Sequence, residues 1–191
     1  TVGGSCVVSI NAPDPGEVVV NATTDVTVDS VAMTRTTGTA GNGADAAKTY
    51  VDASIVVIPL EAVNKVGEPH EFTASVFVDD GTGIAPAVDG TVVDFSFVVN
   101  TAGAIFDGPS SCVTAGGSCS VTITSTDTGF IVVDATTDVE VGGVVLTRST
   151  GTTGNGADAV KTYVDARLTL DPLADVNAVG DPHVITAKVE A

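Results

Sequence analysis

The sequence repeats itself. Residues 1–78 align with residues 114–191 at a constant offset of 113 without a gap, and 46 of the 78 pairs are identical. The segment from Gly41 to Ala53 returns as Gly154 to Ala166 with one change, Ala47 to Val160. Likewise Val66-Gly67-Glu68-Pro69-His70 returns as Val179-Gly180-Asp181-Pro182-His183. A fixed period of this length is the signature of a tandem array, in which each unit is one folding element stacked on the next. One whole period runs from about Asp52 to Val164. Residues 1–51 then read as the C-terminal part of a preceding repeat, 52–164 as a complete repeat, and 165–191 as the N-terminal part of the following repeat. Joined, the two partial pieces lack counterparts of residues 79–113, so the expectation is a stretch of a longer repetitive protein.

Composition decides what the repeat is made of. Val contributes 35 residues and Thr 27, about a third of the 191. β-branched side chains lose χ1 freedom in a helix and suit a pleated, half-buried surface, so the chain is expected to be all-β. Within the complete repeat, Ala53 to Leu60 is a nearly continuous apolar run. Phe72, Ala74, Val76 and Val78 alternate with Glu71, Thr73, Ser75 and Phe77, and Val93, Phe95, Phe97 and Val99 alternate with Asp94 and Ser96. Cys119 to Thr124 and Phe130 to Thr136 read as two further strands. Val139-Glu140-Val141 and Val144-Val145-Leu146 flank Gly142-Gly143, a two-residue hairpin whose glycines permit the positive φ of a primed turn. About seven short strands in roughly 110 residues, with turns every 8 to 12, predict an immunoglobulin-like β-sandwich. The fold class is therefore all-β, tandem immunoglobulin-like sandwiches in an elongated array.

The run Phe72-Thr73-Ala74-Ser75-Val76, an Asp/Gly loop, an apolar strand, then Ser118-Cys119-Ser120-Val121-Thr122-Ile123-Thr124-Ser125-Thr126-Asp127-Thr128-Gly129 and Ile131-Val132-Val133-Asp134-Ala135 carries a resemblance. It resembles the bacterial immunoglobulin-like tandem repeats of the invasin/intimin (group 1) type. The resemblance implies a cell-surface or extracellular stalk of adhesin-like character. The sequence departs from the family's commonest pattern in its cysteine pair and in long loops at 79–90 and 100–118.

Charge excludes other classes. With 24 acidic residues against 7 basic ones the net charge is −17, which repels phosphate backbones and argues against nucleic acid as a partner. No apolar run approaches the roughly 20 residues of a membrane helix, so no membrane insertion is expected in this segment. The expected partners are neighbouring repeats of the same chain, with self-association into filaments as the further possibility. No nucleophile–base pair or cofactor fingerprint stands out, and an enzyme is not expected.

Cys112 and Cys119 flank Val113 to Ser118, which reads as a hairpin loop, and are expected to form a disulfide within the repeat. Cys6 is the counterpart of Cys119, so the odd cysteine is read as one half of a pair. A disulfide implies an oxidising compartment, hence an extracellular or cell-surface location. No cofactor is required by the sequence. Calcium is the one candidate ligand, because carboxylates in Asp/Gly loops suit hard cations. Its candidate sites are Asp79, Asp80 and Asp89 in one loop and Asp52 and Asp165 at the junctions, with Asp45 and Asp158 nearby. No segment carries a complete calcium-loop signature.

His70 and His183 are one position in two copies, read as a Pro-His turn entering a strand. Tyr50 and Tyr163 are likewise one position, expected at an inter-domain seam. The preserved segment Gly41 to Ala53 is expected at the junction too, where it would fix the geometry between domains. The G-x-x-G-x-G spacing from Gly151 to Gly156 reads as a loop rather than a phosphate cradle, and Asn21-Ala22-Thr23 is a glycosylation sequon. The function expected is structural, a stalk or filament body. The alternative is an adhesive module that recognises a host receptor or glycan through its loops.

Overall fold

The computed structural model describes residues 3–191. Every regular element among them is a strand. In the first 51 residues β1 (Gly16–Val20), β2 (Thr23–Val28), β3 (Val31–Thr36) and β4 (Ala46–Tyr50) form two antiparallel pairs, β1 with β4 and β2 with β3. The central stretch contributes β5 (Asp52–Ile58), β6 (Glu61–Lys65), β7 (His70–Asp79), β8 (Ile84–Pro86), β9 (Val92–Asn100) and β10 (Ile105–Phe106). It continues with β11 (Ser111–Val113), β12 (Ser118–Thr124), β13 (Gly129–Val141), β14 (Val144–Ser149) and β15 (Ala159–Val164). Near the C-terminus β16 (Arg167–Asp171) pairs antiparallel with β17 (Thr186–Glu190).

The strands β5 to β15 build two facing sheets. One runs β5-β7-β12-β10 with β8 on the flank of β7; the other runs β11-β9-β13-β15-β6 with β14 against β13. In chain order this is the A-B-E-D sheet and the C-F-G sheet of an immunoglobulin-like sandwich. All pairings are antiparallel except β6 on β15, where the chain has crossed from one sheet to the other.

Period-2 alternation explains the core. Phe72, Ala74 and Val76 of β7 and Ile55 and Val57 of β5 face inward from one sheet. Val93 and Phe95 of β9 and Ile131, Val133 and Ala135 of β13 face inward from the other. Each such Val, Ile or Phe removed from water stabilises the fold by about 1.5–3 kcal/mol. The Gly142-Gly143 turn forms as predicted, with φ of 57° and 80°. Its counterpart in the preceding copy makes the same turn with Asp29 and Ser30 at φ 49° and 68°.

Several sequence expectations are corrected. The segments 79–90 and 100–118 are not plain loops, since β8, β10 and β11 lie within them. The two strands expected between Phe130 and Val141 are one continuous β13, with an irregularity between Val132 and Val133. Its polar middle is satisfied sideways: Thr137 Oγ1 donates to the Val92 carbonyl at 2.7 Å and Thr136 Oγ1 lies 3.1 Å from Ser149 Oγ.

The preserved segment does more than mark a seam. Its second copy, Gly154 to Val164, supplies β15 in the middle of a sheet together with the loop that covers β5. Gly156 N donates to the Ile55 carbonyl at 2.8 Å, and Asn155 Oδ1 accepts from Ile55 N at 3.0 Å. A Cβ on Gly156 would stand 3.0 Å from Val56 Cα, so packing inside the sandwich explains why this segment hardly varies. Tyr163 is buried in the core, its hydroxyl directed at the Ile123 carbonyl at 3.3 Å, because inward alternation along β15 points it there.

The copies share hydrogen bonds as well as letters. Thr39 Oγ1 donates to Thr36 O at 2.6 Å and Thr152 Oγ1 to Ser149 O at 2.6 Å. Asn42 Nδ2 reaches Thr39 Oγ1 at 2.9 Å as Asn155 Nδ2 reaches Thr152 Oγ1 at 2.9 Å. Asn64 caps the Pro69 carbonyl at 3.2 Å and Asn177 the Pro182 carbonyl at 3.1 Å.

Candidate functional site

The chain enters the sandwich at Asp52, just beyond the end of β4 at Tyr50. Here the preceding segment touches the sandwich. A Cβ on Gly81 would stand 2.9 Å from Thr49 Cγ2 and 3.3 Å from Gly16 Cα, and one on Gly142 would stand 3.3 Å from Val51 Cγ1. A cleft of about 240 Å³ opens at this contact, lined by Pro15, Asp52, Ala53, Ile84 and Gly154 among others. Arg148 of β14 reaches two of these lining residues from the facing sheet: Nε donates to the Ala53 carbonyl at 2.6 Å and Nη2 pairs with Asp52 Oδ1. Burial raises the Asp52 pKa, but the Arg148 hydrogen bond, the Ala53 N–H and the Arg148 charge together hold it below the ordinary carboxylate value.

The acids singled out as calcium candidates are occupied one by one. Asp79 Oδ1 accepts from Gly81 N at 2.9 Å and Gly83 N at 3.2 Å. Asp80 Oδ1 accepts from the hydroxyl and the N–H of Thr82 at 2.6 and 3.0 Å, which lowers its pKa. Asp89 Oδ1 accepts from Gly116 N at 2.6 Å and Asp165 Oδ1 from Ala166 N at 2.8 Å. Asp52 and Asp79 are cross-strand partners on β5 and β7. Asp158 takes the Thr150 hydroxyl at 2.7 Å, while Asp45 takes the Thr37 hydroxyl at 2.6 Å and Asn21 Nδ2 at 2.8 Å. Those two donors, Thr37 first, lower the Asp45 pKa. Asn21, the sequon residue, thus has its amide nitrogen engaged. Among the described residues no three His, Cys, Asp or Glu side chains converge as a metal site would require.

The disulfide joins Cys112 to Cys119 with Cα atoms 5.8 Å apart. The loop it closes turns as a tight hairpin, Ala115 and Ser118 forming an antiparallel bridge, but its two arms run into different sheets. Cys112 lies on β11, paired with β9 in one sheet, and Cys119 on β12, paired with β7 in the other. The bond therefore staples the two sheets together at the point where the chain crosses between them. Cys6 is free and exposed.

A buried polar group lies on β15. Lys161 is fully buried; its Nζ donates to Thr162 O at 2.8 Å and stands 4.4 Å from the Tyr163 ring centroid. Burial lowers its pKa, a tendency Glu68 partly opposes, and burial raises that of Tyr163. His70 sets its ring edge-on to Phe72 at 4.7 Å, with Nε2 buried and without a hydrogen-bond partner. Burial and then the Lys161 charge push the His70 pKa down. Such a histidine is held neutral at the start of its strand, and its copy His183 instead meets Asp175 at 3.2 Å.

Arg148, Asn155 and Lys161 carry these contacts; Asn155 and Lys161 lie within the preserved segment, but no motif marks Arg148. A signal is nevertheless present: among only 7 basic residues, Arg35 with Arg148 and Lys48 with Lys161 recur at the repeat offset.

No family model matches the sequence, and no curated protein matches it. Among solved structures the chain is similar to the D00-D0 domain of intimin, with 20 % identity and a TM-score of 0.37 over 70 % of this chain. It spans 63 % of that structure's length.

Proposed function

We propose that this chain is a structural segment of an extracellular, cell-surface repetitive protein, the body of an adhesin-like stalk or filament built from 113-residue immunoglobulin-like repeats. In this reading residues 52–164 are one whole repeat, and 1–51 and 165–191 are the closing and opening pieces of its neighbours. The observation that carries it is the recurrence, at an offset of 113, of the same turn and loop hydrogen bonds in both copies. A spacer asks only that each unit fold alike and stack on the next. The staple between sheets suits an oxidising compartment, and the charge of −17 keeps a Val-rich surface soluble.

The test is negative-stain imaging with light scattering on a three-repeat chain. Straight rods of constant spacing support the stalk, and ordered fibres longer than one chain support the filament. Randomly angled beads sink both.

One observation favours an adhesive module as the second reading. Ile84 and Val88 in the 79–90 segment and Ile105 and Val113 in the 100–118 segment are exposed apolar side chains. Retention of cells or glycans by the immobilised chain, lost on Ile84→Ser with Ile105→Ser, would establish it.

A further inference from the structure

Asn155-Gly156 is a chemically labile pair. With no side chain in the way, a glycine nitrogen can swing onto the side-chain carbonyl carbon of the asparagine before it. In the structure both ends of that reaction are tied to β5. The strand lies at the edge of its sheet, and the N–H and carbonyl of Ile55 turn to the loop rather than to β7. Gly156 N, the atom that would attack, donates to the Ile55 carbonyl at 2.8 Å. Asn155 Oδ1, on the carbon that would be attacked, accepts from Ile55 N at 3.0 Å. Nδ2, the nitrogen that would leave, donates to Thr152 Oγ1 at 2.9 Å, and the Gly156 carbonyl accepts from Gly151 N at 2.8 Å.

The seated loop has no room for the reaction either. A Cβ on Gly156 would stand 3.0 Å from Val56 Cα and 3.2 Å from Val56 Cβ. Ring closure needs Gly156 N freed from Ile55 O and the Asn155 side chain rotated off Ile55 N, so the loop and β5 must part first. The same end of β5 is held by Arg148, through the Ala53 carbonyl and Asp52.

We infer that Asn155 is a site of spontaneous deamidation, held in check while β5 is seated against the loop and released when β5 lifts. Gly156 N bonds to Asn155 Cγ, the Cγ–Nδ2 bond breaks, and the amide proton leaves with that nitrogen as ammonia, giving a cyclic imide. Water then opens the imide at one of its two carbonyls, leaving aspartate or isoaspartate; one water enters and one ammonia departs. Aspartate keeps an oxygen for Ile55 N and can reseat. Isoaspartate routes the main chain through the side chain and lengthens it by a methylene, where the contact with Val56 leaves no slack. Ile55 then keeps an unpaired N–H and carbonyl on an open sheet edge. An opening of β5 that outlasts the chemistry is thereby made permanent. The inference concerns residues 52–164 alone and is independent of what flanks them.

Peptide mapping by mass spectrometry tests it. Trypsin cuts after Arg148 and Lys161, and Asn155 is the only asparagine of the peptide 149–161. In mildly alkaline buffer the folded 191-residue chain should convert Asn155 about thirtyfold more slowly than the same chain in urea, the factor carried by two hydrogen bonds of ordinary strength. Arg148→Lys keeps the cleavage site but loses the fork that holds both Ala53 and Asp52, and should raise the folded rate severalfold with circular dichroism unchanged. Asp52→Ala loosens the same end and serves if that variant does not fold. In hydrogen exchange the Ile55 amide should lose protection in chains carrying isoaspartate at 155 and keep it in Asn155→Asp. Equal rates in buffer and urea, or a folded rate that neither variant moves, would overturn the control by β5. An Ile55 amide still protected beside isoaspartate would overturn the permanence of the opening.

Discussion

Removing the Cys112–Cys119 bond measures how much of this fold's stability lies in its unfolded state. The two residues are seven apart, a loop whose closure removes chain entropy worth about 2.5 kcal/mol at 25 °C in the loop-entropy model. Both cysteines sit half-buried against the core, so Cys112→Ala with Cys119→Ala keeps the site apolar and leaves the bond as the main thing lost. At an unfolding entropy of about 2.1 cal/mol/K per residue over a 113-residue repeat, that loss lowers Tm by about 10 °C. Urea unfolding followed by circular dichroism reads both the loss and the slope. The slope should increase, because an uncrosslinked unfolded chain exposes more surface. A loss below about 0.5 kcal/mol with an unchanged slope would mean the unfolded chain keeps residues 112–119 together unaided, and the entropic argument would be refuted.

Lys161→Met should raise stability at pH 7 by on the order of 1 kcal/mol, since a buried charge with one carbonyl partner becomes an apolar chain of similar length. Because the Lys161 pKa is lowered in the fold, the native protein should gain stability as pH rises towards the unfolded value near 10.4, and the variant should lose that slope. The lowered pKa of His70 likewise means that the unfolded chain binds the proton first. Stability is then fully present above about pH 6.5 and falls as pH drops from there to the folded value; His70→Phe should flatten that fall in a pH series of urea midpoints. Ser30→Gly relieves a serine held at φ 68° and should increase amide-exchange protection in the β2–β3 hairpin by about 0.5–1 kcal/mol. A chelator should leave Tm within about 1 °C, because each candidate carboxylate already accepts hydrogen bonds from the chain; a fall of several degrees would establish the calcium reading.

What was legible in the sequence was what period 2 and turn chemistry encode. The inward faces of β7 and β9 and the Gly142-Gly143 turn follow from alternation and from the need for positive φ. β6 was illegible because Glu61-Ala62-Val63-Asn64-Lys65 carries little strand preference of its own and is held by its parallel neighbour β15. The short β8, β10 and β11 have too few residues to show a period. The cysteine spacing told of a bond but not that its ends lie on different sheets, which only the pairing of β11 with β9 and of β12 with β7 reveals. Arg148 and Asp52 are 96 residues apart, and nothing local to either announces the other. The packing role of the preserved loop against β5 is hidden in the sequence because invariance between copies marks tight packing as readily as a junction.

The parallel pairing of β6 with β15 governs how this unit would respond to tension. A pull applied at Asp52 and at Val164 loads β5 against β7 first; once it reaches β6 it draws that strand by its leading end and β15 by its trailing end, so the two slide against each other along their length. The five register pairs from Val160–Glu61 to Val164–Lys65, flanked by Val160 N to Leu60 O at 2.7 Å and Val66 N to Val164 O at 2.9 Å, are then sheared together. Hydrogen bonds placed this way rupture as a group, whereas a hairpin pulled at its open end unzips bond by bond. Once β5 has given way, resistance to such a pull rests on this parallel ladder.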